Sequence, residues 1–114
     1  VDLYKKDYPD LQLIFAIPNA GFASVRQGVL RKLTGRRKGV PDVCIPVAKW
    51  MGLNASTVFG LWVEFKKPGE KPTKEQKEWH ERLTRSGHRV EVCASWVDAA
   101  NIVIEYLQLP LAKL

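Results

Sequence analysis

Between Leu61 and Lys66 the chain alternates. Leu61, Val63 and Phe65 are apolar, and Trp62, Glu64 and Lys66 stand between them. A strand of this pattern puts an acid and an amine on the face opposite its apolar residues. For an isolated pair of charges, a solvated outer face is explanation enough. A second carboxylate changes the balance, because Asp42, after Pro41, heads another apolar run, Val43-Cys44-Ile45-Pro46-Val47. If the two runs pair antiparallel across the loop between them, the start of the first lies beside the end of the second, with strands about 5 Å apart. Asp42 and Glu64 then meet.

At 114 residues and 46% hydrophobic, the chain has apolar material for one core and not for two, so residues 1–114 are expected to form a single domain. No run approaches the roughly 20 apolar residues of a membrane span, and no secretory signal opens the sequence. The first residue is Val rather than Met, as in an excised or processed piece whose upstream helix is truncated. Cys44 and Cys93 lie inside apolar, strand-like runs and read as reduced core residues of a cytoplasmic protein. With no CxxC and no Cys/His cluster, a structural zinc site is not expected.

A net charge of +6 suits a polyanionic partner. Its distribution says more than its size. Arg31, Lys32, Arg36, Arg37 and Lys38 fall within eight residues that contain no acid and lead into Gly39-Val40-Pro41-Asp42. Such a run is commonly a solvated helix end and loop. Its place directly before Asp42 favours contact with a phosphate backbone.

Along the chain, Pro9-Asp10 stops a polar opening segment, and Leu11 to Ile17 reads as a strand. Phe22, Val25, Val29 and Leu33 recur at helical spacing. Ala48 to Thr57 reads as a loop or a short helical turn. Thr73-Lys74-Glu75-Gln76 is a capping box, so a helix is expected to start there, with Gln76, Trp79 and Leu83 on its inner stripe and Gly87 at its end. Arg89 to Cys93 is a strand with Val90 and Val92 facing one way. Ser95 caps a last helix whose apolar side holds Val97, Ala100, Ile104 and Leu107. The order is strand, helix, strand, strand, helix, strand, helix, which is an α/β arrangement.

A phosphodiester resists water because the nucleophile is weak, the phosphate repels it and the leaving alkoxide needs stabilising. A divalent cation held by carboxylates addresses all three difficulties. Mg²⁺ takes one or two carboxylates and keeps several waters, so Asp42 and Glu64 suffice as its side-chain ligands, with the backbone carbonyl of Phe65 as a further oxygen. Lys66 projects from the face of Glu64. As a general base it needs a depressed pKa, which burial favours and nearby carboxylates oppose. Electrostatic stabilisation and water positioning therefore rank above proton abstraction.

Pro41-Asp42 followed by Glu64-Phe65-Lys66 resembles the PD-(D/E)XK nuclease superfamily. Gly39-Val40-Pro41-Asp42, Leu61 to Lys66, Thr73-Lys74-Glu75-Gln76 with Trp79, and Gly87-His88-Arg89-Val90 together resemble its VRR-NUC branch. The likeness extends upstream to Ile17-Pro18-Asn19-Ala20-Gly21 and downstream into the last helix. It implies a restriction-endonuclease-like core, a central mixed β-sheet flanked by helices, and a Mg²⁺- or Mn²⁺-dependent DNA endonuclease. In that reading Asp42 and Glu64 bind metal, Lys66 assists, and Gln76 positions metal-bound water or DNA, a role that competes with capping for one side chain. The resemblance also implies branched substrates such as Holliday junctions and a homodimer, since paired cuts across a junction need two sites. Relatives often add a glutamate from an N-terminal helix. The nearest acids here, Asp2 and Asp7, read as surface residues.

Other readings compete. A non-cleaving DNA-binding module of the same fold is favoured by the missing acid and opposed by the intact Asp42, Glu64 and Lys66. A sequence-reading restriction-like nuclease or an RNA nuclease differs in substrate. His80 and His88 stand near no Ser or Cys nucleophile and read as surface residues outside the site. Pro9-Asp10 lacks the basic approach and reads as a helix stop and turn. Asn19 and Gly21 suit a tight turn. Tyr4, Tyr8 and Trp50 have the chemistry to stack on unpaired bases, but core or interface packing fits each better.

Overall fold

The strands pair as the alternation requires. The computed structural model describes residues 7–17, 39–50 and 57–110. A four-stranded mixed sheet is built from β1 (Phe15–Ala16), β2 (Val43–Ile45), β5 (Leu61–Phe65) and β6 (Arg89–Cys93), in the order β1-β2-β5-β6. The pairing of β2 with β5 is antiparallel, with Val43 opposite Val63 and Ile45 opposite Leu61. β6 runs parallel to β5, with Glu64 opposite Val92. The parallel pair is connected through α1 (Lys74–Arg85), and α2 (Trp96–Tyr106) follows β6.

Each helix covers one face. The β5 side chains of Leu61 and Val63 join Ile45, Cys93, Ala99, Tyr106 and Leu107 in the core beneath α2. Phe65, on the same face, meets Trp96 with ring centroids 4.7 Å apart. The Tyr106 hydroxyl is fully buried and donates to the Val47 carbonyl at 2.5 Å, tying α2 to the segment after β2. The opposite face, with Trp62 and Glu64, lies under α1. Thr73 and Gln76 close the expected capping box at the start of α1, and Gly87 follows its end with φ of +89°. Ser95 caps α2 through the Asp98 amide.

Four local expectations are corrected. Pro9–Leu13 forms a 3₁₀ helix, and only Phe15–Ala16 pairs as a strand, because Pro9 fixes a helical φ and Leu11 turns into the core. The stretch after Val47 is neither loop nor helical turn throughout: β3 (Lys49–Trp50) pairs antiparallel with β4 (Thr57–Val58) as a separate ribbon. Of the apolar side expected for α2, Leu107 is buried and Ala100 and Ile104 are half-buried, but Val97 is exposed and the buried residues within the helix are Ala99 and Tyr106. Trp50 stands exposed on β3, outside the core, while Tyr8 packs against the core. The helix expected around Phe22 to Leu33 lies outside the described residues.

Cys44 and Cys93 are buried free thiols, as expected. Burial pushes the Cys44 thiol up from its ordinary 9.0 to about 11, and burial followed by the charges of Glu91 and Asp98 raises Cys93. The folded Cys44 thiol keeps its proton at a pH where the unfolded one has lost it. Its contribution to stability is therefore complete below pH 9.0 and is lost as pH climbs through about 11. Iodoacetamide at pH 8 is expected to leave both thiols unmodified in the native protein and to alkylate both in urea, read by mass spectrometry. No helix among the described residues is long and apolar enough to cross a membrane.

Candidate metal and phosphate site

The antiparallel pairing of β2 with β5 places Asp42 beside the end of β5 that carries Glu64. One step beyond the Val43–Val63 pair, the register sets Asp42 opposite Glu64, and residues directly opposite in a sheet share a face. Asp42 is locked from two sides. Its carbonyl accepts from the Ile17 amide at 2.8 Å, and its Oδ2 accepts from the Phe65 amide at 2.8 Å. The carboxylate thus reaches across to β5 one residue past Glu64.

Glu64 is 1% exposed. The face that the strand pattern alone would leave wet is closed by α1. One carboxylate oxygen, Oε1, lies 3.1 Å from His80 Nε2, and the other, Oε2, is buried with no hydrogen-bond partner. A carboxylate oxygen kept from water without a donor is costly, commonly by about 1–3 kcal/mol or more when charged. A hard cation offsets that cost. Two carboxylates with the Phe65 carbonyl nearby are an oxygen-rich donor set that suits Mg²⁺ or Mn²⁺. The residues present therefore fit the ion implied by the sequence. Among the described residues no group of three or more His, Cys, Asp or Glu side chains forms a metal cluster.

Lys66 follows β5, with its amide donating to the Cys93 carbonyl at 2.8 Å. The ladder so continued keeps the alternation, which assigns Lys66 to the Glu64 face, and the residue is half-buried. Gln76 is committed to capping: its Oε1 accepts from the Thr73 amide at 2.8 Å. Its amide nitrogen and the second lone pair of Oε1 are left for any contact to water or DNA. Arg31, Lys32, Arg36, Arg37 and Lys38 lie outside the described residues, as do Asp2, Asn19, Gly21 and Tyr4; Asp7 is exposed.

Neither histidine is a surface residue. His80 reaches Glu64, and His88 packs edge-on against Trp62 with centroids 5.9 Å apart, its Nδ1 buried and without a hydrogen-bond partner. The signal for His80 was its spacing, since Gln76, His80 and Leu83 follow i, i+4, i+7 along one helix stripe. A polar residue on a buried stripe needs a buried polar partner.

The family model described as the VRR-NUC domain matches residues 4–96. Among solved structures, a chain described as a VRR_NUC domain protein is similar to this one with a TM-score of 0.64 and 24% identity, covering 86% of this chain and 70% of its own. That likeness concerns the fold. No curated protein matches the chain significantly.

Proposed function

This chain belongs to the VRR-NUC domain family, a nuclease-type domain, and from that premise we propose that it is a metal-dependent DNA endonuclease selective for branched DNA such as four-way junctions. The observation that carries the metal-dependent reading is the buried Glu64 carboxylate, with one oxygen unpartnered, set opposite an Asp42 whose own carboxylate is docked on the Phe65 amide. Asp42 and Glu64, with the Phe65 carbonyl, would hold Mg²⁺ or Mn²⁺. When bound, such an ion acidifies water and neutralises charge developing on phosphate.

The chain's own residues do the rest. The Phe65 amide fixes Asp42, so little reorganisation is needed when the phosphate arrives. Lys66 faces the scissile phosphate as a cation, stabilising the developing negative charge and orienting the attacking water. Gln76 supports the site through the N-terminal turn of α1, which its cap with Thr73 holds rigid. The basic residues from Arg31 to Lys38 neutralise backbone phosphates, so affinity falls steeply with salt and each removed charge lowers the log–log slope by about one. A homodimer supplies the second cut of a junction.

The test incubates the protein with a labelled four-way junction, a matching linear duplex and an RNA of the same sequence, each in Mg²⁺, Mn²⁺ or EDTA. Cutting is expected only with metal and faster on the junction. Binding without cutting in either metal, unchanged by Asp42→Ala or Lys66→Ala, would leave a DNA-binding module. Faster cutting of the duplex at one defined site points to a restriction-like enzyme, and preference for RNA to a ribonuclease. Light scattering tests the dimer, which a strict monomer at working concentration removes.

A further inference from the structure

We propose that His80 is the positioning residue for Glu64, assigning one carboxylate oxygen to the protein and leaving the other for the cation; the inference rests on the metal-site reading above. Three observations converge. Glu64 is 1% exposed, His80 Nε2 stands 3.1 Å from its Oε1, and Oε2 alone of the two oxygens has no partner. An ionised carboxylate only accepts hydrogen bonds, so the His80 ring donates from Nε2 and that nitrogen is unavailable as a metal ligand. The imidazole therefore holds the ligand without joining it. Hydrogen bonds of this kind orient ligating groups, and losing one typically weakens metal affinity about 10–100-fold.

The helix is built to hold this contact. Its first turn is fixed by the reciprocal bonds of Thr73 and Gln76, and its later turn is anchored by the buried Leu83. His80 sits between these anchors, on the same stripe, 18% exposed at its side chain. A leucine there would fill the space and leave both oxygens of Glu64 without a donor. Packing and positioning thus make opposite demands on the residue at this place.

That opposition supplies the test. DNA-free protein is titrated with Mn²⁺ and the free ion is followed by electron paramagnetic resonance, with thermal melts in EDTA to check folding. His80→Leu preserves bulk and removes the donor; His80→Gln keeps an amide N–H able to reach Oε1. The expected result is Mn²⁺ affinity about 10–100-fold weaker for His80→Leu, with His80→Gln within a few-fold of the wild type. Wild-type affinity in His80→Leu overturns the positioning role and leaves the Asp42–Glu64 site standing. If the wild type binds no more Mn²⁺ than Glu64→Gln, the metal-site reading fails and His80 falls with it.

Discussion

Glu64→Gln is expected to abolish cleavage while leaving the fold intact and, in EDTA, more stable. Glutamine has the shape of glutamate, so its oxygen still accepts from His80, and only the charge is lost. That charge is what a divalent ion needs, and removing one electrostatic partner of a reacting phosphate costs roughly 10²–10³-fold or more in rate. Stability moves the other way. In metal-free buffer the wild type keeps a charged carboxylate that is 1% exposed, with one oxygen lacking a donor, and replacing that buried charge by a neutral amide is expected to add about 1–2 kcal/mol, read as a raised melting temperature. Activity and stability therefore oppose each other at one residue, as is common where a site stores unfavourable electrostatics. Loss of activity together with a lower melting temperature would mean that Glu64 serves the fold.

Gly39→Ala is the second large effect, and it acts at a distance from the chemistry. Gly39 has φ of +88°, and an added Cβ would fall 2.5 Å from the Glu75 carbonyl carbon and 2.6 Å from the Gln76 nitrogen. These are backbone atoms of the first turn of α1, which cannot step aside as a side chain can. Either α1 or the segment leading into Asp42 must shift, at an expected cost of about 2–4 kcal/mol in urea unfolding. Because α1 carries His80 and Gly39 leads into Asp42, the shift disturbs both carboxylates, and a misplacement of about 1 Å can cost roughly 10²-fold in rate. Gly69→Ala is the control. It has nearly the same φ, +87°, but nothing lies within 4 Å of the added carbon, so about 1 kcal/mol and unchanged activity are expected.

The sequence carried the faces of the central pairing because a side-chain period of two puts alternate residues on one side of a strand. Leu61 and Val63 share the core face with Ile45 and Val43, and the observed register sets Asp42 one step beyond the Val43–Val63 pair, opposite Glu64. The caps at Thr73 and Ser95 were equally legible, since each is a local bond between neighbours in the chain. What was not legible depended on a third element. Alternation leaves Glu64 on a face that any strand could show to water; only α1 lying across it buries the carboxylate and brings in His80. The same holds for Leu11 to Ile17, whose composition suits a strand but whose first residues are bent by Pro9 and drawn inward at Leu11. That α2 buries Ala99 and Tyr106 and leaves Val97 exposed goes with the Tyr106 bond to Val47, a contact across 59 positions that no local pattern shows.

The measurement closest to the central claim is a crystal of the protein grown with Mn²⁺ and recorded near the manganese absorption edge. An anomalous peak is expected within about 2.0–2.6 Å of carboxylate oxygens from both Asp42 and Glu64, with His80 still bonded to the other Glu64 oxygen and the peak absent in Glu64→Gln. A fully occupied manganese bound elsewhere, or ordered Asp42 and Glu64 side chains with no peak between them at saturating Mn²⁺, would contradict it.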